Sequence, residues 1–340
     1  MSVTNKPSQI PRIAVIGTGG TFAMQARHAF DWVEYGESGI VRPIDDLLDA
    51  LGDTGIAAEL VPVSFRTLPS TGVTPQDWLE LARLIDRTAK EDASIAGFVV
   101  THGTATLEET AWFLDCALQT DLPVVLTGAQ RPANTTGSDA LANLRTALAA
   151  ACMPEWQGIG VLVAMDGTLF AARDVVKSAS FDLHAFESPA SGPLGRVDAD
   201  GRVVLRHRPV PARKDRPALN LSAVQALPRV DIAVSYAGAD GTAIDAAVAA
   251  GARGIVSMGL APGRPANGER EALARAAKQG VCVVQSTRAV RPVVPPQDFL
   301  RRDGVLAGGD LAPHKLRILL MLLLACGVPA GAMQEKLLAY

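Results

Sequence analysis

The chain has 340 residues, of which 48% are hydrophobic and 20% charged, with a formal net charge of −3. That length and apolar content describe a globular protein of two domains rather than a disordered or small disulfide-stapled one. The balanced charge, with only the short cluster Arg213-Lys214-Asp215-Arg216, gives no basic surface for nucleic acid.

The first residues, Met-Ser-Val-Thr-Asn-Lys-Pro-Ser-Gln, hold no apolar signal core, so a cytoplasmic chain is expected. The first strand is predicted at 12–17. Its β-branched run Ile13 to Ile16 is too apolar for a half-exposed strand and reads as a central parallel one. It runs into Gly-Thr-Gly-Gly-Thr at 17–21. Two readings of that turn are open. One is a dinucleotide fingerprint, but Phe22 stands at the third glycine position. The other is a threonine nucleophile, Thr21, presented by the turn.

Further strands are predicted at 57–63, 96–101, 123–127 and 159–164. Between them amphipathic helices are predicted at 43–51, 75–91, 106–119 and 138–152. The helix at 75–91 has Thr74 to cap it and Pro75 at its first position. Such alternation implies right-handed crossovers and a parallel sheet with helices on both faces. The segment 188–222 is rich in Pro, Gly and Arg and reads as a linker holding a small hairpin, Val-Asp-Ala-Asp-Gly-Arg-Val. A second α/β unit follows, with strands at 231–235, 254–258 and 281–285. Its helices are predicted at 242–251, 267–279, 313–325 and 330–338. The domain expectation is therefore 1–205, a linker at 206–222, and 223–340. The apolar run Ile318–Gly327 is too short to span a bilayer and reads as a buried helix, so no membrane partner is expected.

Cys116, Cys152, Cys282 and Cys326 are scattered, without a CxxC pair, and read as reduced core thiols. The five histidines form no HxxxH pattern, so neither a metal nor another cofactor is expected. Ligands of open parallel sheets sit beyond the carboxyl ends of the strands. Polar loops follow four of the strands here, at 64–72, 101–110, 128–132 and 165–177, and are expected to converge on Thr21.

Those loops carry a resemblance. Thr-Gly-Gly-Thr at 18–21 and Thr-His-Gly-Thr-Ala-Thr-Leu-Glu-Glu-Thr at 101–110 resemble two motifs of the bacterial asparaginase/glutaminase family. Gly-Ala-Gln-Arg-Pro at 128–132, Ala-Arg-Asp-Val-Val-Lys at 172–177, Gly-Pro-Leu-Gly at 192–195 and Pro-Ala-Arg-Lys at 211–214 recur in the same order. The similarity runs from about residue 12 to the C-terminus. It implies a large N-terminal α/β domain with a parallel or mixed sheet and a smaller C-terminal α/β domain. It also implies a homotetramer built from tight dimers, or a homodimer, and metal-free hydrolysis of a small amide by two threonines. Carried over, Thr21 is the nucleophile, Thr104 the second threonine, and Lys177 the amine linked to it.

Tyr35, in a Gly- and acid-containing stretch, matches a tyrosine of the family's mobile loop that activates the nucleophile. Ser70 matches a serine that binds the substrate carboxylate. Gly20, Thr71, Gly103, Ala105 and Ala129 complete the implied substrate contacts. A desolvated Lys177 would have a lowered pKa and move a proton. Backbone amides of the Gly19-Gly20 and Gly103-Thr104 turns suit an oxyanion. His102 reads as structural, and Glu108 and Glu109 suit the start of a helix.

Two positions depart from the pattern. Thr71 stands where many members have glutamine. Ala105 stands where the family usually has an aspartate that pairs with the substrate's α-ammonium and serves Lys177. In the second domain the loops at 259–268 and 286–298 match those that complete a neighbouring site, and the latter carries Arg288 and Arg291 but no glutamate. The resulting expectation is an asparaginase-type amidohydrolase acting through a threonine acyl-enzyme. The alternative is an amidase for a related amide, lactam or imide without a free α-amine. More distant readings are a nucleotide-binding oxidoreductase and a non-catalytic binding protein on this fold.

Overall fold

The computed structural model describes residues 10–340, so the N-terminal stretch 1–9 lies outside the described residues. Two compact units divide the chain. The first comprises residues up to Ala111, Leu118–Ser188 and Gly192–Ala212; the second comprises Trp112–Ala117, Pro189–Ser191 and Arg213–Tyr340.

In chain order the first unit begins with strand β1 (Arg12–Gly19), helix α1 (Ile44–Leu51), strand β2 (Glu59–Leu68) and helix α2 (Pro75–Glu91). Strand β3 (Ile95–Thr101), helix α3 (Leu107–Ala117, whose part from Trp112 on belongs to the second unit), β4 (Val124–Thr127) and α4 (Ala140–Ala151) follow. Short strands close it: β5 (Leu162–Met165), β6 (Thr168–Ala171), β7 (Val176–Lys177), β8 (Phe186–Glu187), β9 (Gly195–Val197) and β10 (Val203–Leu205). Eight of the strands form one sheet in the order β10-β9-β6-β5-β4-β3-β1-β2, while β7 and β8 pair apart. The pairs from β2 through β5 are parallel, and β5, β6, β9 and β10 pair antiparallel, so the sheet is mixed.

The fully buried run Ile13–Ile16 confirms β1 as a central strand. Ile13, Val15, Val99 and Val125 share a core with Leu144 and Leu148 of α4. Helix α2 opens on a reciprocal cap: Thr74 Oγ1 accepts from the Asp77 N–H at 3.4 Å, and Asp77 Oδ2 accepts from the Thr74 N–H at 2.8 Å.

Three local expectations change. Strand β2 runs on to Leu68, further than the apolar pattern suggests, because Gly19 pairs with Leu68 after a register shift in β1. The 165–168 segment is not a site loop but the turn of the β5–β6 hairpin, with Asp166 at φ 49° and Gly167 at φ 68°. Two consecutive positive φ angles suit the tight hairpin turn that Asp-Gly favours. The hairpin at 195–205 is no linker feature either. It pairs with β6 and extends the large sheet, satisfying a backbone edge that would otherwise be unpaired.

The second unit holds β11 (Val230–Val234), α5 (Thr242–Ala249), β12 (Gly254–Gly259), α6 (Asn267–Lys278) and β13 (Cys282–Thr287). It ends with α7 (Asp298–Asp303), β14 (Leu306–Ala307), α8 (Pro313–Ala325) and α9 (Ala330–Leu338). Its four strands are parallel, in sequence order. Ile255, Leu273 and Val283 lie in its core, and Leu316 and Ile318–Leu323 of α8 are buried, as the apolar run predicts. Among the described residues no helix is long and apolar enough to cross a membrane.

Candidate active site

In the large sheet β1 lies between β3 and β2. The chain passes from β1 to β2 on one side and then crosses back to β3 on the other, so strand order reverses beside β1. Ligand crevices of open α/β sheets form at the carboxyl ends of strands where this happens. The turn after β1 carries Thr21 and the turn after β3 carries Thr104.

Close backbone approach brings those turns together. Gly20 has φ +70°, and a Cβ built on it would lie 2.2 Å from Gly103 Cα. A Cβ on Gly103 would lie 2.2 Å from Ser70 Cβ. Only glycine tolerates both demands. The Gly20 N–H donates to the Leu68 carbonyl at 3.0 Å, and Thr106 Oγ1 donates to the Ser70 carbonyl at 2.7 Å. Three loops, after β1, β2 and β3, are thereby locked edge to edge.

Thr21 is buried, and its Oγ1 lies 2.7 Å from the Tyr35 hydroxyl. Tyr35 opens a short helical turn, Tyr35–Ser38, in a loop tied down along its length. Asp31 Oδ1 accepts from the Glu34 N–H at 2.9 Å, and Ser38 Oγ donates to the Gln25 carbonyl at 2.6 Å. Asn134 grips Ala26 twice, accepting from its N–H at 2.9 Å and donating to its carbonyl at 2.8 Å.

Thr104 is buried, with its Oγ1 2.7 Å from Lys177 Nζ. The Lys177 amine also donates to Gln130 Oε1 at 3.0 Å, and the Lys177 backbone N–H donates to Glu108 Oε2 at 2.9 Å. Burial holds the amine below the ordinary lysine value, while the carboxylates of Glu108 and Asp139 act in the opposite direction. Ala105 and Thr71 are exposed, Ser70 is half-buried, and Ala129 is fully buried directly before Gln130.

His102 is structural, as expected, and its role is explicit. Trp78 Nε1 donates to Thr110 Oγ1 at 2.9 Å, and Thr110 Oγ1 lies 3.0 Å from His102 Nε2. His102 Nδ1 lies 2.8 Å from the Gly103 carbonyl. The carbonyl can only accept, so Nδ1 carries the proton and Nε2 accepts from the threonine hydroxyl. Burial pushes the imidazole pKa down to about 4, which keeps it neutral. This chain of hydrogen bonds braces the peptide that precedes Thr104.

The site thus joins Thr21 with Tyr35, and Thr104 with Lys177, around the Gly20, Ser70 and Gly103 backbone. All of them belong to the first unit. Gln130 lies in the polar loop 128–132 expected at the site but was not singled out from sequence, Asp139 was not apparent there, and Glu108 was read only as a helix-start carboxylate. Their side chains reach Lys177 or its neighbours from elements distant in the chain, contacts that no local motif spells out. Among the described residues no group of three His, Cys, Asp or Glu side chains is placed to hold a metal ion.

A family model described as "Asparaginase, N-terminal" matches residues 12–211, and one described as "Glutaminase/Asparaginase C-terminal domain" matches 229–337. The chain belongs to the asparaginase family. Relatives agree along nearly its whole length. A probable periplasmic L-asparaginase of Haemophilus influenzae is 33% identical, covering 95% of this chain and 91% of its own length. A glutaminase-asparaginase of Pseudomonas fluorescens biotype A is 31% identical, covering 93% and 87%. The crystal structure of a probable cytoplasmic L-asparaginase from Campylobacter jejuni superposes with a TM-score of 0.90 at 35% identity, covering 97% of this chain and all of the other. The asparaginase fold is therefore this chain's fold, and the mixed sheet and the smaller parallel unit are its two layers of organisation.

Proposed function

We propose that this asparaginase-family chain is a hydrolase of linear amide C–N bonds of the L-asparaginase type, converting asparagine to aspartate and ammonia. The observation that carries the reading is the pair of hydroxyls 2.7 Å apart, Thr21 Oγ1 and Tyr35 OH, beside the Thr104–Lys177 pair. In this reading Thr21 Oγ1 attacks the side-chain amide carbon and its proton passes to Tyr35. As it does so the Tyr35 hydroxyl gives its own proton to the amide nitrogen, which leaves as ammonia, and water then cleaves the Thr21 ester. A threonine hydroxyl needs such a proton acceptor to be an effective nucleophile. Backbone N–H groups of the Gly20 and Gly103 turns stabilise the charge that builds on the carbonyl oxygen. Ser70, Thr71 and Ala129 contact the substrate.

Ala105 leaves the α-ammonium without the usual carboxylate, so asparagine is expected to bind with a weakened KM. Ammonia release from asparagine, glutamine, succinamate and N-acylated asparagine tests the assignment. Asparagine turned over faster than the substrates without a free α-amine supports it. The reverse order would move the substrate class to amides lacking that amine, and silence on every amide would remove the activity.

The oligomer is read as a homotetramer or homodimer. The exposed side chains of Val234, Tyr236, Val290 and Val293 on the second unit leave apolar surface available for such contacts. Light scattering on the purified protein tests it, and a monomer at micromolar concentration would refute it. The four scattered cysteines, which hold no CxxC pair, support a cytoplasmic location. Fractionation of the source cells decides between cytoplasm and periplasm.

A further inference from the structure

The Lys177 amine faces two oxygens that are not equivalent: Thr104 Oγ1 at 2.7 Å and Gln130 Oε1 at 3.0 Å. A hydroxyl oxygen can donate or accept, whereas an amide oxygen only accepts. The other end of Gln130 settles which way its amide points. Its Nε2 lies 3.3 Å from the Ser180 carbonyl oxygen and 3.0 Å from that of Asp182. Both are acceptors, so the NH2 group must face them and Oε1 must face Lys177. The backbone is fixed as firmly. Both oxygens of Asp139 accept from the Gln130 N–H at 3.0 Å, and Asp139 also accepts from the Arg131 N–H and from Asn143 Nδ2. Gln130 itself is only 9% exposed.

We propose that Gln130 is a positioning residue for the amidohydrolase reaction, turning the Lys177 amine so that one N–H meets Gln130 Oε1 and the nitrogen lone pair faces the Thr104 hydroxyl. The catalytic consequence rests on the amidohydrolase reading above. With the lone pair so placed, Lys177 Nζ takes the Thr104 Oγ1 proton as that oxygen receives one from the attacking water. As the bond from the acyl carbon to Thr21 Oγ1 breaks, Lys177 returns a proton to Thr104 and a Thr104 proton passes to Thr21 Oγ1, so both hydroxyls and the amine are restored and no proton is consumed overall.

The neutrality of Gln130 matters as much as its direction. The charged groups acting on the amine are Glu108 on α3 and Asp139 at the start of α4. The groups in direct contact, Gln130 after β4 and Thr104 after β3, are uncharged, and position 105 offers no carboxylate. Gln130 therefore orients the amine without stabilising its ammonium form as a carboxylate would.

Two variants of the whole protein separate direction from charge. Gln130→Leu removes the acceptor; Gln130→Glu keeps an acceptor and adds a charge. Ammonia release from asparagine is followed against pH. The Lys177 Nζ titration is read by nitrogen-15 NMR on lysine-labelled protein without substrate, with Lys177→Met identifying the resonance. Gln130→Leu is expected to lower kcat about tenfold or more at every pH, with KM within about twofold of wild type. Gln130→Glu is expected to move both the amine titration and the acid limb of kcat upward by about one pH unit or more, with kcat recovering above the shifted limb.

A Leu variant with wild-type kcat, or with a defect confined to KM, overturns the proposal. So does an amine titration that is unmoved in the Glu variant. Circular dichroism checks both variants; should the Glu variant not fold, the kcat and KM of the Leu variant decide. Absence of ammonia release from asparagine by wild type would sink the function reading alone, because the Nζ titrations still report whether Gln130 governs the amine.

Discussion

At the scale of single residues, the proposed chemistry rests on one oxygen–oxygen and one nitrogen–oxygen distance, each of 2.7 Å: Thr21 to Tyr35 and Lys177 to Thr104. Thr21→Ala is expected to lower asparagine hydrolysis at least a thousandfold, since losing the attacking group leaves only the rate supplied by binding and oxyanion contacts. A mutant with activity near wild type would mean another nucleophile. Tyr35→Phe keeps the ring and removes the proton acceptor, so a fall of roughly 10²–10⁴ in kcat is expected, with the circular dichroism spectrum unchanged. Ala105→Asp offers a carboxylate to the substrate's α-ammonium. A charged hydrogen bond of about 1.5–3 kcal/mol corresponds to a KM for asparagine about ten- to a hundredfold lower. Unaltered KM would show that the α-amine does not pass position 105. Thr21, Thr104 and Lys177 were legible in the sequence because each sits in a motif of its own. Gln130 also lies in a motif, Gly-Ala-Gln-Arg-Pro, but its contact with Lys177 was not legible, because two carbonyls about fifty residues away set the direction of its amide.

At the scale of elements, the site depends on loops that touch through backbone atoms. Gly103→Ala would place a methyl group 2.2 Å from Ser70 Cβ, a separation no packing tolerates. Neither neighbour is the free end of a flexible side chain, so the loops after β2 and β3 must part. The expected result is a loss of kcat/KM of a hundredfold or more, as a displacement of about 1 Å costs a catalytic site, with a measurable fall in Tm. Wild-type kinetics in this variant would show that the contact is dispensable. Helices and parallel strands of this layer were readable from apolar period and caps, as with Thr74 and Pro75 before α2. The β5–β6 turn at Asp166-Gly167 and the edge hairpin at 195–205 were read as a polar loop and a linker. Both lie in short segments whose partner strands are set by tertiary pairing rather than by local pattern.

At the scale of the whole molecule, stability carries its own pH signature. His102 is held neutral, with a pKa of about 4 against an ordinary 6.5. The unfolded chain therefore binds a proton that the folded one refuses. This contribution is complete above about pH 6.5 and is lost as pH falls through the window to about 4, at up to roughly 1.4 kcal/mol per pH unit. His314 in the second unit, pushed down to about 3, adds to the same loss. Urea unfolding should show midpoints that fall between pH 6.5 and 4, and His102→Gln should flatten part of that slope; an identical slope would assign the loss elsewhere. A second test lies in the buried pair of Arg216 and Asp115, 2.6 Å apart with both side chains under 5% exposed. Arg216→Ala is expected to cost about 3–5 kcal/mol, because it leaves a buried carboxylate without its guanidinium. An unchanged urea midpoint would refute that.

What the sequence determined by itself was the α/β class, the order of the main elements and the family, and it singled out Thr21, the threonine proposed to carry the chemistry. These are written in local quantities: apolar periodicity, capping residues and contiguous motifs. The tertiary structure decided which turns meet, which way the Lys177 amine points, and that the peptide before Thr104 is braced by Trp78, Thr110 and His102. It also showed a neutral amide, that of Gln130 after β4, meeting the same amine. Those features depend on hydrogen-bond directions between residues far apart in the chain, and such directions exist only once the sheet has set its strands in order.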